Sequence, residues 1–199
     1  MYSKFLLAGV AAVATLALSS AAFSAAAPFA LSSATFKDGT MMPAKVANMN
    51  APGQNNPNCV GQNVSPQLSW SGAPDGTKSF ALTMVDPEGR GGLNVFHWVA
   101  YGIPANVTSF AEGEVSKASD KYVGGKSTQG VGNYSGPCTP PGSPHHYTFR
   151  VIATDLDPKE LPPGLTLPEF EAKLAANPAP GKQSHALGAA GLVGLFVKP

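Results

Sequence analysis

Histidine is scarce in this chain, with four in 199 residues, at positions 97, 145, 146 and 185. His97 lies inside an apolar run, residues 94–103, where a polar ring costs free energy unless it is satisfied or used. His145 and Tyr147 stand two apart at the start of a second run. A strand there projects both to one face and turns His146 and Arg150 to the other. Asp86 closes a third run at Asp86-Pro87, a strand end of the kind that builds binding sites. An imidazole N–H and a phenol O–H both donate to a phosphate or carboxylate oxygen, so His97, His145 and Tyr147 suit the capture of a small anion. Asp86 suits orienting an imidazole better than touching that anion, because like charges at contact repel.

The same residues admit other chemistry. Asp86, His97 and His145 hold the ingredients of a two-His-one-carboxylate metal site, or of general acid–base hydrolysis. The sequence carries no Gly-x-Ser-x-Gly and no His-Glu-x-x-His, and both cysteines are better assigned to a bridge than to nucleophilic attack. We therefore expect no metal and no cofactor, with a hydrolase or metal-dependent enzyme as the alternative. His185 is a further candidate for the pocket, equally suited to a helix surface.

Strands must position these groups. Residues 79–85 form an apolar run stopped by Pro87, residues 94–103 a run closed by Pro104, and residues 145–153 a third. Residues 192–197 could supply a short final strand, and Asp38-Gly39 marks a turn. Thr166-Leu167-Pro168-Glu169 has capping-box spacing with Phe170 and Leu174 on one side, which predicts a helix ending by Asn177-Pro178. A second helical turn or two is expected over residues 184–190, giving strands first and helices last. Residues 139–144 are too proline-rich for regular structure. Pro137, Pro140 and Pro141 should stiffen that loop and lower the ordering cost of binding. Trp70 and Trp98 read as core or pocket wall.

Charged residues are 13% of the chain, and it holds 22 Gly and 19 Pro. That balance excludes a coiled coil, a long helical bundle and a highly charged disordered chain. A formal charge of +1 offers no surplus for a phosphate backbone, so nucleic acid is not an expected partner. Lys4, an apolar stretch over residues 5–18 and small residues leading to Ser24, Ala25 and Ala26 have the order of a secretory signal peptide. About 14 apolar residues fall short of the roughly 20 needed to span a bilayer. The expectation is a cleaved leader at 1–25, a single domain over 26–199 with no transmembrane segment, and a periplasmic or secreted product. An oxidising compartment would permit a bridge between Cys59 and Cys138; two buried thiols are the alternative.

Several short motifs follow one another in a recognisable order. They are Asn63-Val64-Ser65-Pro66-Gln67-Leu68-Ser69-Trp70, Asp86-Pro87-Glu88, His97-Trp98-Val99, and Gly136-Pro137-Cys138-Thr139-Pro140-Pro141-Gly142 with His145-His146-Tyr147. Together they resemble the phosphatidylethanolamine-binding protein family, most closely its bacterial branch of Raf-kinase-inhibitor-like proteins. The resemblance runs from about Phe36 to the end of the chain. It implies a mainly β fold, with a central antiparallel sheet packed by a smaller second sheet, peripheral helices, and a small anion pocket at one end. Carried over position by position, the pocket members are Asp86, His97, His145 and Tyr147. Pro141 is expected in the adjoining loop, and Glu88 and His185 are further candidates.

The chain departs from the family pattern where Glu88 replaces a second Asp, where Gly89-Arg90 replaces Ala-Pro, and where His146 replaces Arg. The first two should alter the rim in shape and charge; the third points away from the pocket. The implied function is an exported, non-enzymatic binding protein for phosphate, phosphorylated or phospholipid-headgroup ligands, acting through a protein partner as a regulator or inhibitor. An interaction protein with a vestigial pocket is a third reading. Binding should weaken as pH rises through the titration of His97 or His145.

Overall fold

The computed structural model describes residues 27–50, 52–176, 181 and 184–199. The expected leader, residues 1–25, and the expected helix stop at Asn177-Pro178 lie outside the described residues. Strands β1 (Ala30–Ser32), β3 (Leu68–Ser71) and β6 (Ser109–Phe110) form a small antiparallel sheet. A larger sheet contains β2 (Thr40–Met41), β4 (Ser79–Asp86), β5 (Val95–Pro104), β7 (Val123–Gly124), β8 (His145–Thr154) and β9 (Ala186–Phe196). Its order is β2-β9-β8-β4-β5-β7, antiparallel throughout except for the short β2–β9 pair.

The three apolar runs become the long strands β4, β5 and β8 because the large sheet is covered on both faces. On the inner face, Phe80, Leu82 and Met84 of β4 join Trp98, Phe149 and Val151 against Leu31, Leu68, Trp70 and Phe110 of the small sheet. The Trp70 ring meets Phe80 and Phe110 edge-on, with centroids 5.6 and 5.7 Å apart. Both tryptophans are therefore core residues. On the outer face, Ala81, Val99, Tyr101 and Ile152 lie under a helix spanning Leu167–Ala175. Its buried residues, Leu167, Phe170 and Leu174, recur at helical spacing. Thr166 caps it as the sequence predicts: the Thr166 hydroxyl accepts from the Glu169 N–H, and a Glu169 carboxylate oxygen accepts from the Thr166 N–H.

The end of the chain differs from expectation. Residues 186–190 are not helical; they begin β9, which runs eleven residues and pairs with β8 along that strand's whole length. Alanine suggested a helix, but the glycines among Ala186-Leu187-Gly188-Ala189-Ala190-Gly191 disfavour one. Small size suits a strand that other groups press against. A Cβ added to Gly194 would stand 2.5 Å from the Met42 sulfur. Among the described residues the order is thus strands, interrupted by a 3-10 turn at Ala44–Val46 and a one-turn helix at Gly89–Gly92, then a nine-residue helix and a last strand.

A β-bulge sits where β5 meets β4. Met84 pairs with Trp98 and Val85 with Phe96, so His97 is the extra residue between two paired positions. Strict alternation would turn His97 away from Trp98 and out of the inner face. The bulge lets neighbouring residues both face inward, and the His97 and Tyr147 rings meet edge-on with centroids 5.2 Å apart.

Phe170 is fully buried and stacked on Tyr101, with centroids 5.0 Å apart and planes 10° from parallel. Phe170→Ala should lower the free energy of unfolding by about 3–5 kcal/mol, read from urea midpoints at unchanged slope.

Candidate functional site

The ends of β4, β5 and β8 meet over a cavity of about 180 Å³, room for a few waters or one small anion. Asp86, His97, His145 and Tyr147 all line it, as do Thr139, Pro140 and Arg90. Each strand delivers its residue by position. Asp86 is the last inward residue of β4, His97 occupies the bulge of β5, and His145 and Tyr147 alternate with outward residues at the start of β8.

Asp86 is 3% exposed, and its carboxylate is satisfied on both oxygens. Oδ1 accepts the backbone N–H groups of Glu88 and Gly89 at 3.0 and 2.9 Å, and Oδ2 lies 2.8 Å from His145 Nδ1. A carboxylate can only accept, so the His145 proton sits on Nδ1. The turn is tight at Gly89, where an added Cβ would stand 2.5 Å from Val95 Cγ2 and 3.0 Å from Asp86 Oδ2. His97 is fixed in the same way, with Nδ1 2.8 Å from the Ser135 carbonyl oxygen and donating to it. Burial pushes the His97 imidazole below its ordinary pKa, against the opposing pull of that carbonyl. Neither Nε2 has a hydrogen-bond partner among the described residues.

Tyr147 is buried, and its hydroxyl lies 2.5 Å from the Thr139 hydroxyl. Burial pushes the phenol well above its ordinary range, so it keeps its proton. Thr139 belongs to a strap, residues 134–144, that closes the cavity from outside. Gly136 N donates to Asn63 Oδ1, Tyr134 Oη donates to the Val46 carbonyl, and Cys138 is bonded to Cys59, 79 residues away. Asn63, from the motif before Trp70, therefore braces the strap. In the chain-entropy model a bridge of this span disfavours the unfolded state by roughly 4–5 kcal/mol.

Three candidates fall outside the lining. Pro140 contacts the cavity and Pro141 does not, because the chain turns outward after Pro140. Glu88 faces away: its two oxygens accept from the backbone N–H and Nδ1 of His146 on the outer side of β8. His185 lies beside Asp155 with Nδ1 2.7 Å from Oδ1, because the segment expected to form a helix is the approach to β9. Sequence reasoning missed Ser135 and Gln129 as neighbours of the site, and nothing in their local pattern marks them.

Catalysis and metal binding can be tested against donor atoms. No hydroxyl is hydrogen-bonded to either Nε2 among the described residues, so no nucleophile–base pair is formed there. One ligand atom each of Asp86, Glu88 and His145 lies within 4.8 Å of the others. All of these side chains are already engaged in hydrogen bonds, and Glu88 rather than His97 completes the set.

A family model described as phosphatidylethanolamine-binding protein matches residues 32–187. The Escherichia coli UPF0098 protein YbcL is 42% identical over 100 residues, 48% of this chain and 55% of YbcL. The Mycobacterium tuberculosis protein LppC, whose name carries the word lipoprotein, is 35% identical over 143 residues, 71% of this chain and 63% of LppC. The chain thus spans little more than half the length of the first relative and under two thirds of the second. The crystal structure of YbcL, titled a new member of the mammalian PEBP family, superimposes with a TM-score of 0.70 at 28% identity. That superposition covers 86% of this chain and 99% of the YbcL chain.

His97 gives a stability prediction with a definite sign. Its folded-state pKa is lowered, so the unfolded chain binds more protons in acid. Its contribution should be complete above about pH 6.5 and shrink as pH falls, by at most about 1.4 kcal/mol per pH unit. Denaturation midpoints from pH 8 to 5 should fall more steeply for the native chain than for His97→Gln.

Proposed function

This chain belongs to the phosphatidylethanolamine-binding protein family, and from that premise we propose that it is an exported, non-enzymatic binding protein for a small anion. The ligand class is phosphate, a phosphate monoester or a phospholipid headgroup. The observation that carries the reading is the shared cavity in which both ring Nδ1 atoms are committed to protein acceptors, leaving Nε2 of His97 and His145 for a guest.

That arrangement dictates the proton chemistry. A neutral ring whose proton is on Nδ1 can only accept at Nε2. An anion therefore binds either through its own O–H or after a ring takes up a proton, so acid favours binding by both routes. The His145 ring is bonded directly to the Asp86 carboxylate, whereas the His97 ring is deeply buried and bonded through Nδ1 to the Ser135 carbonyl, and burial outweighs the pull of that carbonyl and of Asp86. His145 is accordingly the carboxylate-backed ring of the pair, and Tyr147 adds a hydroxyl.

Export is supported by the Cys59–Cys138 bond and by the lipoprotein name of one relative, and no helix among the described residues is long and apolar enough to cross a membrane. A single domain over 26–199 accords with the extent of the family match.

Calorimetric titration with inorganic phosphate tests the binding reading. Affinity should fall as pH rises from 5 to 8, with proton uptake visible as a buffer-dependent enthalpy, and His145→Ala should lower affinity at least about tenfold at pH 6. In Asp86→Asn the amide would donate to Nδ1 and move the neutral-ring proton to Nε2, so the pH dependence should flatten. Binding indifferent to pH in the native chain, or no binding, would refute this account.

A further inference from the structure

The cavity has a cationic rim that the His–Asp arrangement does not use. Arg90 lines it and is exposed, and its guanidinium has no hydrogen bond or ion pair among the described residues. The same residue lines a second recess of about 280 Å³ around the start of β5, with Lys126, Ser127 and Thr128. Gln129 of the first recess follows Thr128 of the second, so Arg90 is the divide between adjoining spaces. Lys126 likewise makes no ion pair among the described residues. Its acidic neighbour Glu169 is engaged with Thr166. On the same loop, Glu88 is held by His146 on the other side.

The backbone makes this placement deliberate rather than convenient. Arg90 has φ 57° and ψ 34°, the left-handed region, between Gly89 and Gly91. A side chain there is strained relative to glycine, and local strain of this kind concentrates at functional sites.

We infer that Arg90 makes the pocket selective for phosphoryl ligands carrying a second negative group, against zwitterionic ones such as phosphoethanolamine. This rests on the anion reading of the inner pocket and specifies its substrate class. The inner site takes the phosphoryl group; the tail emerges at Arg90, with Lys126 adding positive potential behind it. A carboxylate or second phosphate on the tail gains a fork-shaped donor, whereas an ammonium meets like charge.

Three monoesters of similar size separate the effect from phosphoryl binding itself: phosphoglycolate, 2-hydroxyethyl phosphate and phosphoethanolamine, with tails of charge −1, 0 and +1. The full chain, titrated at one pH and low ionic strength, should bind them in that order with about tenfold between the ends. Arg90→Gly should melt no lower than the native chain, because glycine relaxes φ 57°, yet shrink the spread to about twofold. Lys126→Gln should narrow it less. Equal affinities, a reversed order, or a spread that survives Arg90→Gly would overturn the selectivity while leaving phosphate binding intact. Failure of inorganic phosphate and all three esters to bind would overturn the anion reading and this inference with it.

Discussion

A buried carboxylate is the constraint on which the site is built. Asp86 ends a strand whose other inward residues are Phe80, Leu82 and Met84, and at 3% exposure it has lost its water. An ionised group so placed persists only if protein atoms replace that hydration. Two backbone N–H groups and the His145 ring do so, and each answer has a structural consequence. The backbone donors require the chain to fold sharply at Gly89, and the ring donor fixes which nitrogen of His145 faces the cavity. The turn that satisfies the carboxylate also delivers Arg90 to the rim.

The opposite wall obeys the same logic with a neutral acceptor. His97 would face the wrong side of β5 in a regular strand, and the bulge opposite Met84 and Val85 brings it inward. There its Nδ1 proton is taken by the Ser135 carbonyl, whose position depends on a strap braced by Asn63 and bonded through Cys138. Two imidazoles from different strands thus present the same tautomer to one space. Asp86 sets that tautomer from within the cavity, and Ser135 sets it from a strap that Asn63 braces without lining the space.

Much of this was legible in the chain before any coordinates. The three apolar runs, the Thr166–Glu169 cap and the shared face of His145 and Tyr147 follow from local periodicity, and the structure places them as expected. The bulge was not legible, because inserting one residue into a ladder depends on the partner strand rather than on residues 94–103 alone. The last strand was misread for a related reason: an alanine- and glycine-rich segment has weak preferences, and pairing with β8 decided its form. Side-chain partners resolved the rest. Glu88 and His185 are polar residues near polar residues in sequence, but His146 and Asp155 capture them outside the cavity.

The placement of β9 bears on how the molecule comes into being. The last strand pairs with β8 from Ala186 opposite Thr154 to Phe196 opposite His145, and its other edge carries β2 from the beginning of the described chain. Until residues 186–196 are in place, β8 is an unzipped edge and β2 has no neighbour to join. A chain in that condition has few of its long-range partners and cannot complete its architecture. The large sheet therefore closes only when segments far apart along the polypeptide, residues 40–41 and 186–196, have met.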